Sequence, residues 1–320
     1  MTEPRRAPFI GVEPFDVEYG SGFQADAKDG TDIECSLVED DGDFRIHRPE
    51  PIQRPPRLCF VDGVRRTEAH LTRTEGETVR GIAGAWGAGA VLIEGRAVID
   101  RVETGRAVIF AGGAQVPLPD QGRVWKWKPC SVEGDEPDAP GQHLQQLMRQ
   151  AEAVIGERLC DEGWLTVFDG PLHHVRSARG IPVMGYVKTH HRRLLAMEHW
   201  RRVPQIDVGE RTGLFALRDD TLACYVRVGD PGPWSSPWAG IARIDVTATA
   251  GRETAVTSVD RAAGWLPRFA STPHRDPRAP VNLTPVAGLE RRLHHLLGDA
   301  HLALRAVRDA VMELNVGEAA

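Results

Sequence analysis

At 320 residues, with 41% hydrophobic and 26% charged side chains, the chain can bury a full core, which excludes wholesale disorder. A net charge of -6 excludes a protein that holds nucleic acid by bulk charge, and five cysteines with no CxxC pair exclude a zinc ribbon or a disulfide scaffold. No apolar run approaches the ~18 residues of a membrane span, and MTEPRRAPFIGVEP carries prolines and acids where a signal peptide has an apolar core, so a cytoplasmic protein is expected.

Residues 1–56 read as an acidic N-terminal arm. Residues 1–60 hold 13 Asp and Glu against 7 Lys and Arg, which accounts for the whole net charge. A single domain over 57–315 is expected to follow. Leu58 to Val61 is an apolar strand ending in Asp62-Gly63, and an alternating segment runs from Arg66 to Thr74. GIAGAWGAGAVLIEG and VETGRAVIFAGG then read as antiparallel strands joined by short turns, a meander. Pro129 to Gly141 has the Pro, Gly and acid content of a linker.

The period changes after that linker. Leu144, Leu147, Met148, Ala151, Val154, Ile155 and Leu159 recur at three and four, predicting an amphipathic helix of about 18 residues. Glu152 stands at the margin of its apolar stripe, as a surface residue or as a functional one where the helix crosses strand ends. WLTVFDGPLHH is a second buried strand ending in Asp-Gly, with Asp169 at its carboxyl end. Ile181 to Val187 reads as a strand, Thr189 as an N-cap and His190 to Trp200 as a short helix, which puts Lys188 at the junction. Glu198 is the only acid from Lys188 to Arg202, a basic patch suited to a phosphate backbone or to a solvated helix face. LFALRDDTLACYVRV predicts a hairpin turning at Asp219-Asp220, and ARIDVTATA another strand. PGPWSSPWAG reads as a loop whose tryptophans stack on bases or pin the loop to the core. A short helix is expected from Ser258 to Phe269, and one long closing helix from Leu289 to Val311, with Glu290 at the border of its apolar face.

An Asp-Gly after a strand is a turn signal by itself. Two such strands side by side would instead bring two carboxylates into one site, where like charges ~4 Å apart repel by roughly 4 kcal/mol at an effective dielectric of 20. A divalent cation removes that cost. Asp62, Glu152, Asp169 and Glu290 are hard oxygen ligands of the kind that suits Mn²⁺ or Mg²⁺. Two such ions would activate water for in-line attack on a phosphodiester, with Lys188 neutralising charge on the non-bridging oxygens.

In the order and spacing of these motifs, over roughly residues 55 to 310, the chain resembles the NurA family of DNA end-processing nucleases. FVDG holds Asp62, LMRQAEAVI holds Glu152, VFDGPL holds Asp169 and GYVKT holds Lys188. RDPRAPVNLTPVAGLERR resembles the family's C-terminal segment, but puts Glu290 where the family has a histidine, with Asp276 as another candidate. The resemblance implies an α/β fold, a ribonuclease H-like mixed sheet flanked by helices. It further implies a Mn²⁺- or Mg²⁺-dependent nuclease with two ions, acting as a 5'-3' exonuclease and single-strand endonuclease on DNA ends in double-strand break repair. A homodimer working with a HerA-like hexameric ATPase is implied as well. The alternatives are an impaired NurA-like subunit serving as an interaction module, motivated by the missing histidine, or another ribonuclease H-like nuclease.

Overall fold

The strand that begins at Leu58 does not stop at Asp62; it continues to Glu75, and the rest of the sheet grows from it. The computed structural model describes residues 9–12, 33–50, 57–75, 77–172, 175, 182–190, 192–218, 220–230, 232, 235–272, 274 and 279–319. Its strands are β1 (Phe9–Val12), β2 (Ile46–His47), β3 (Leu58–Glu75), β4 (Glu77–Glu94), β5 (Arg96–Phe110), β6 (Lys128–Ser131), β7 (Leu165–Asp169) and β8 (Met184–Val187). The remaining strands are β9 (Arg211–Thr212), β10 (Phe215–Arg218), β11 (Thr221–Arg227) and β12 (Ile241–Thr247). The helices are α1 (Ala139–Asp161), α2 (Met197–Trp200), α3 (Arg252–Trp265), α4 (Thr284–Leu296) and α5 (Ala300–Ala319). The protein is therefore α/β, with one large mixed sheet flanked by helices.

The sheet runs β2-β9-β11-β12-β8-β7-β3-β4-β5-β6, with β1 added to β3 and β10 to β11. β3, β4 and β5 form an antiparallel meander, whereas β7 joins β3 in parallel and β8 joins β7 in parallel. α1 covers one face through Ala151, Ile155 and Leu159 against Cys59, Val61, Ala88 and Ala90. On the other face Leu289, Leu293 and Leu297 pack on Val64 and Ala85, and Val307 and Val311 of α5 on Leu71 and Ala83. α3 covers β12, β8 and β7 through Val259, Ala262 and Ala263.

Several expectations are corrected. The glycines of β4 lie inside one strand and not at turns: a Cβ on Gly84 would stand 2.5 Å from Leu144 and one on Gly89 3.1 Å from Leu289, so small residues let helices close on both faces. The segment taken as a linker contains β6, which pairs with β5 through Ile109 and Cys130, and α1 already begins at Ala139. Among the described residues from His190 to Trp200, only Met197–Trp200 are helical. The carbonyls of Arg193 and Leu194 accept the amides of Ile33 and Cys35 instead, and Leu194 and Leu195 are both buried. α3 begins earlier than expected, at Arg252, and the turn after it tightens to a 3₁₀ helix over Leu266–Phe269.

The long closing helix is two helices. Gly298 takes φ +77°, outside the right-handed helical range, and Asp299 restarts the chain by accepting the amides of His301 and Leu302 at 2.8 and 2.9 Å. That break lets α4 and α5 pack on separate parts of one face.

Candidate metal centre

The site follows from a length mismatch between neighbouring strands. β4 lines one edge of β3 throughout, but on the other edge β7 pairs only up to Val61 opposite Phe168, and β1 pairs only from Leu71 to Thr74. Residues 62–70 of β3 thus face a gap in which, among the described residues, no strand lies. Asp62 is the first residue of the gap, and Asp169 ends β7 beside it. Asp62 is thus in mid-strand and not at a strand end as the sequence pattern implies; what ends there is its neighbour.

Helices on opposite faces reach the same gap. A Cβ on Gly63 would lie 2.5 Å from Glu152 Oε1 and 2.7 Å from Met148 Cγ, so glycine here lets α1 bring its carboxyl onto the strand. From the other face α4 brings Glu290, and one carboxylate oxygen each from Asp62, Asp169 and Glu290 lie within 4.8 Å of one another. Glu152 stands outside that trio but lines the same cleft as Asp62 and Asp169, about 170 Å³ in volume. Lys188, just beyond β8, donates to Asp169 Oδ2 at 2.6 Å. The structure therefore brings together Asp62, Glu152, Asp169, Lys188 and Glu290. Asp276 lies outside the described residues.

The electrostatics are those of an acid cluster in which burial and like charge act together. Burial raises the Asp62 carboxyl well above its usual range, and Asp169, Glu152 and Glu290 push it further, against a smaller opposing effect of Lys188. Asp62 Oδ2 is buried and has no hydrogen-bond partner among the described residues. Burial likewise lifts Glu152 to about 8, Arg149 opposing and Asp169 adding to the rise. Among the described residues, Lys188 and Arg149 are the cations that act on these carboxyl groups. An orphaned, buried carboxylate oxygen amid other carboxylates fits a hard divalent cation, and Asp62, Asp169 and Glu290 are the residues that would hold it.

Two residues of the cleft escaped the sequence reading. Gln145 and Arg149 line it from α1, at seven and three residues before Glu152, so all three share one helix face. That spacing was the available signal. Tyr186, opposite Asp169 in the sheet, is fully buried and donates to Val281 O at 2.6 Å, tying β8 to the segment that leads into α4.

The basic patch after Lys188 is largely engaged in internal contacts. Arg193 donates to Glu34 and Leu195, His199 stacks on Phe44, and Arg202 lies over the same ring at 4.6 Å. Trp238 pins its loop, its ring tilted against that of Trp200 with centroids 4.2 Å apart, and Trp234 lies outside the described residues. A second acidic group, Glu39, Asp40 and His47, is consumed structurally: Arg211 grips both Glu39 oxygens at 2.8 and 3.0 Å, and His47 pairs with Asp40 at 2.7 Å.

Compared with known proteins, no family model matches the chain and no curated protein matches it. Among the described residues no helix is long and apolar enough to cross a membrane.

Proposed function

We propose that the protein is a divalent-metal-dependent nuclease that hydrolyses phosphodiesters of DNA, in the manner of the NurA-type enzymes that its motifs resemble. The observation that carries the reading is the convergence of Asp62, Asp169 and Glu290 within 4.8 Å, with the Asp62 Oδ2 atom buried and unpartnered. The order β5-β4-β3-β7-β8, an antiparallel meander followed by two parallel strands, supports a ribonuclease H-like core. The acids at its centre lie at the carboxyl end of β7, where ligands of open α/β sheets commonly sit.

A bound ion supplies Lewis acidity and a water nucleophile that is available near neutral pH. The protein's part is to hold and tune. Asp62, Asp169 and Glu290 hold the cation, and Glu152, kept protonated near neutrality by burial, is a proton reservoir beside it. Lys188, 2.6 Å from Asp169, contributes a positive charge to the non-bridging oxygens of a phosphodiester brought to the acids. The further expectations, a homodimer fed by a HerA-like ring ATPase at broken DNA ends and 5'-3' digestion, rest on the family resemblance.

Mn²⁺ titration by calorimetry tests the centre. Wild type binds Mn²⁺, Asp62→Asn abolishes binding, Glu290→Ala weakens it about tenfold, and Glu290→His restores most of it because imidazole is a competent ligand. Equal affinity of wild type and Asp62→Asn would remove the metal centre. Absent metal binding in wild type would favour the second reading, an interaction subunit that has lost activity with the family histidine.

A further inference from the structure

We propose that Gln145, Arg149 and Arg65 form a phosphate-binding subsite beside the carboxylates, which takes the phosphodiester adjacent to the one that is cut. The proposal rests on the nuclease reading and extends it to substrate contact: the subsite favours a polynucleotide strand over an isolated phosphate ester.

Gln145 and Arg149 line the same cleft as Asp62, Glu152 and Asp169, one turn apart on α1. Arg65 lies on β3, three residues beyond Asp62, along the part of the strand that β7 leaves uncovered. Its Nε donates to Gln145 Oε1 at 2.8 Å, which ties Arg65 to a residue that lines the cleft. Both arginines are half-buried. They are close enough that the charge of Arg149 disfavours the charged form of Arg65, adding to the effect of burial. The charge of Arg149 also acts on the Glu152 carboxyl across the same cleft. Two guanidiniums brought together beside a cleft repel each other, and an anion relieves that repulsion. Their planar forks match phosphate oxygens, and Gln145 adds an amide to the same wall. The acids take the cation and the scissile group; the arginines stand one turn of helix away, where the chain of a longer substrate continues.

The test is binding without turnover. In EDTA, the affinity of a fluorescent eight-residue oligothymidylate is measured by anisotropy over a salt series, and that of inorganic pyrophosphate by calorimetry, for wild type, Arg149→Ala and Arg149→Lys. Thermal melting confirms that the variants are folded. Arg149→Ala is expected to bind the oligonucleotide five- to tenfold more weakly and to flatten the slope of log K against log salt by about 0.7, the loss of one phosphate contact. Arg149→Lys is expected to keep the slope and lose less affinity. Unchanged affinity and slope in Arg149→Ala, or no affinity of wild type for either probe, would overturn the subsite. Pyrophosphate binding that depends on Arg149 in a protein that never cleaves DNA with Mn²⁺ would keep the subsite and discard the nuclease, so the two failures are distinguishable.

Discussion

Burial holds the Glu152 carboxyl at about 8, so near neutrality the group carries a proton that an exposed glutamate would have lost. The sign of the consequence is fixed by linkage. The folded pKa lies above the ordinary 4.5, so the folded chain binds more protons, and the associated stability is complete below about 4.5 and is lost as pH rises through about 8. Asp62, also raised, acts in the same direction. In metal-free protein Glu152→Gln should therefore match wild type at pH 4 and melt several degrees higher at pH 9, with a flatter dependence between. Parallel melting curves would show that Glu152 is not held protonated. The acids at residues 62 and 169 were legible because each closes an apolar run with Asp-Gly, and neighbouring parallel strands then set the two side by side. The burial of Glu152 was not, since the apolar stripe of α1 leaves it at the margin and only Gly63, on another element, gives its carboxyl a place on the strand. Arg149 and Gln145 were overlooked for a related reason: on a solvated helix, polar residues at such spacing are ordinary.

α4 carries Glu290 to the acids, and what fixes α4 is a buried charge network at its far end. β3 has a bulge between Thr67 and Ala69, which leaves Glu68 as an extra residue facing no partner on β4. Its fully buried carboxylate faces Arg66 at 3.0 Å and Arg106 at 3.5 Å. Arg66 donates to the carbonyls of Gly298 and Leu297 at 2.7 and 3.1 Å, and Arg106 to that of Leu297 at 2.6 Å. Two cations thus satisfy the last carbonyls of α4, where the helix dipole favours positive charge. Arg106→Ala should cost about 3 kcal/mol, as for a broken buried pair, and should speed amide exchange in α4 more than in α1. A uniform change in exchange, or none, would refute the clamp. None of this was readable in the sequence, where Leu289 to Val311 keeps a helical period across Gly298. The strand content was more legible than its pairing, because alternation reveals a strand but not the length of its neighbour. The gap in the sheet at residues 62–70 comes from that unequal length.

At the scale of the whole molecule, the acid excess of residues 1–60 equals the net charge of -6, and among the described residues the cations at or beside the cleft are Lys188, Arg149 and Arg65. Oligonucleotide binding by the isolated protein should accordingly be weak, micromolar at physiological salt, and steep in its salt dependence. Part of the acidic segment is built into the far edge of the sheet: β2 pairs with β9, and Glu39 pairs with Arg211, which also holds Asp260 of α3 at 2.6 Å. Composition reveals the charge of that segment and not its place. The proposed activity requires that the acids in the gap hold a metal ion that supports phosphodiester cleavage. The direct measurement is cleavage of an end-labelled single-stranded oligonucleotide by purified wild type and Asp169→Asn, with Mn²⁺ and with EDTA. Wild type should cleave with Mn²⁺ and not in EDTA, and Asp169→Asn should lose roughly a thousandfold or more with its melting temperature preserved. No cleavage by wild type with Mn²⁺, or equal cleavage by the two proteins, would contradict the proposed activity.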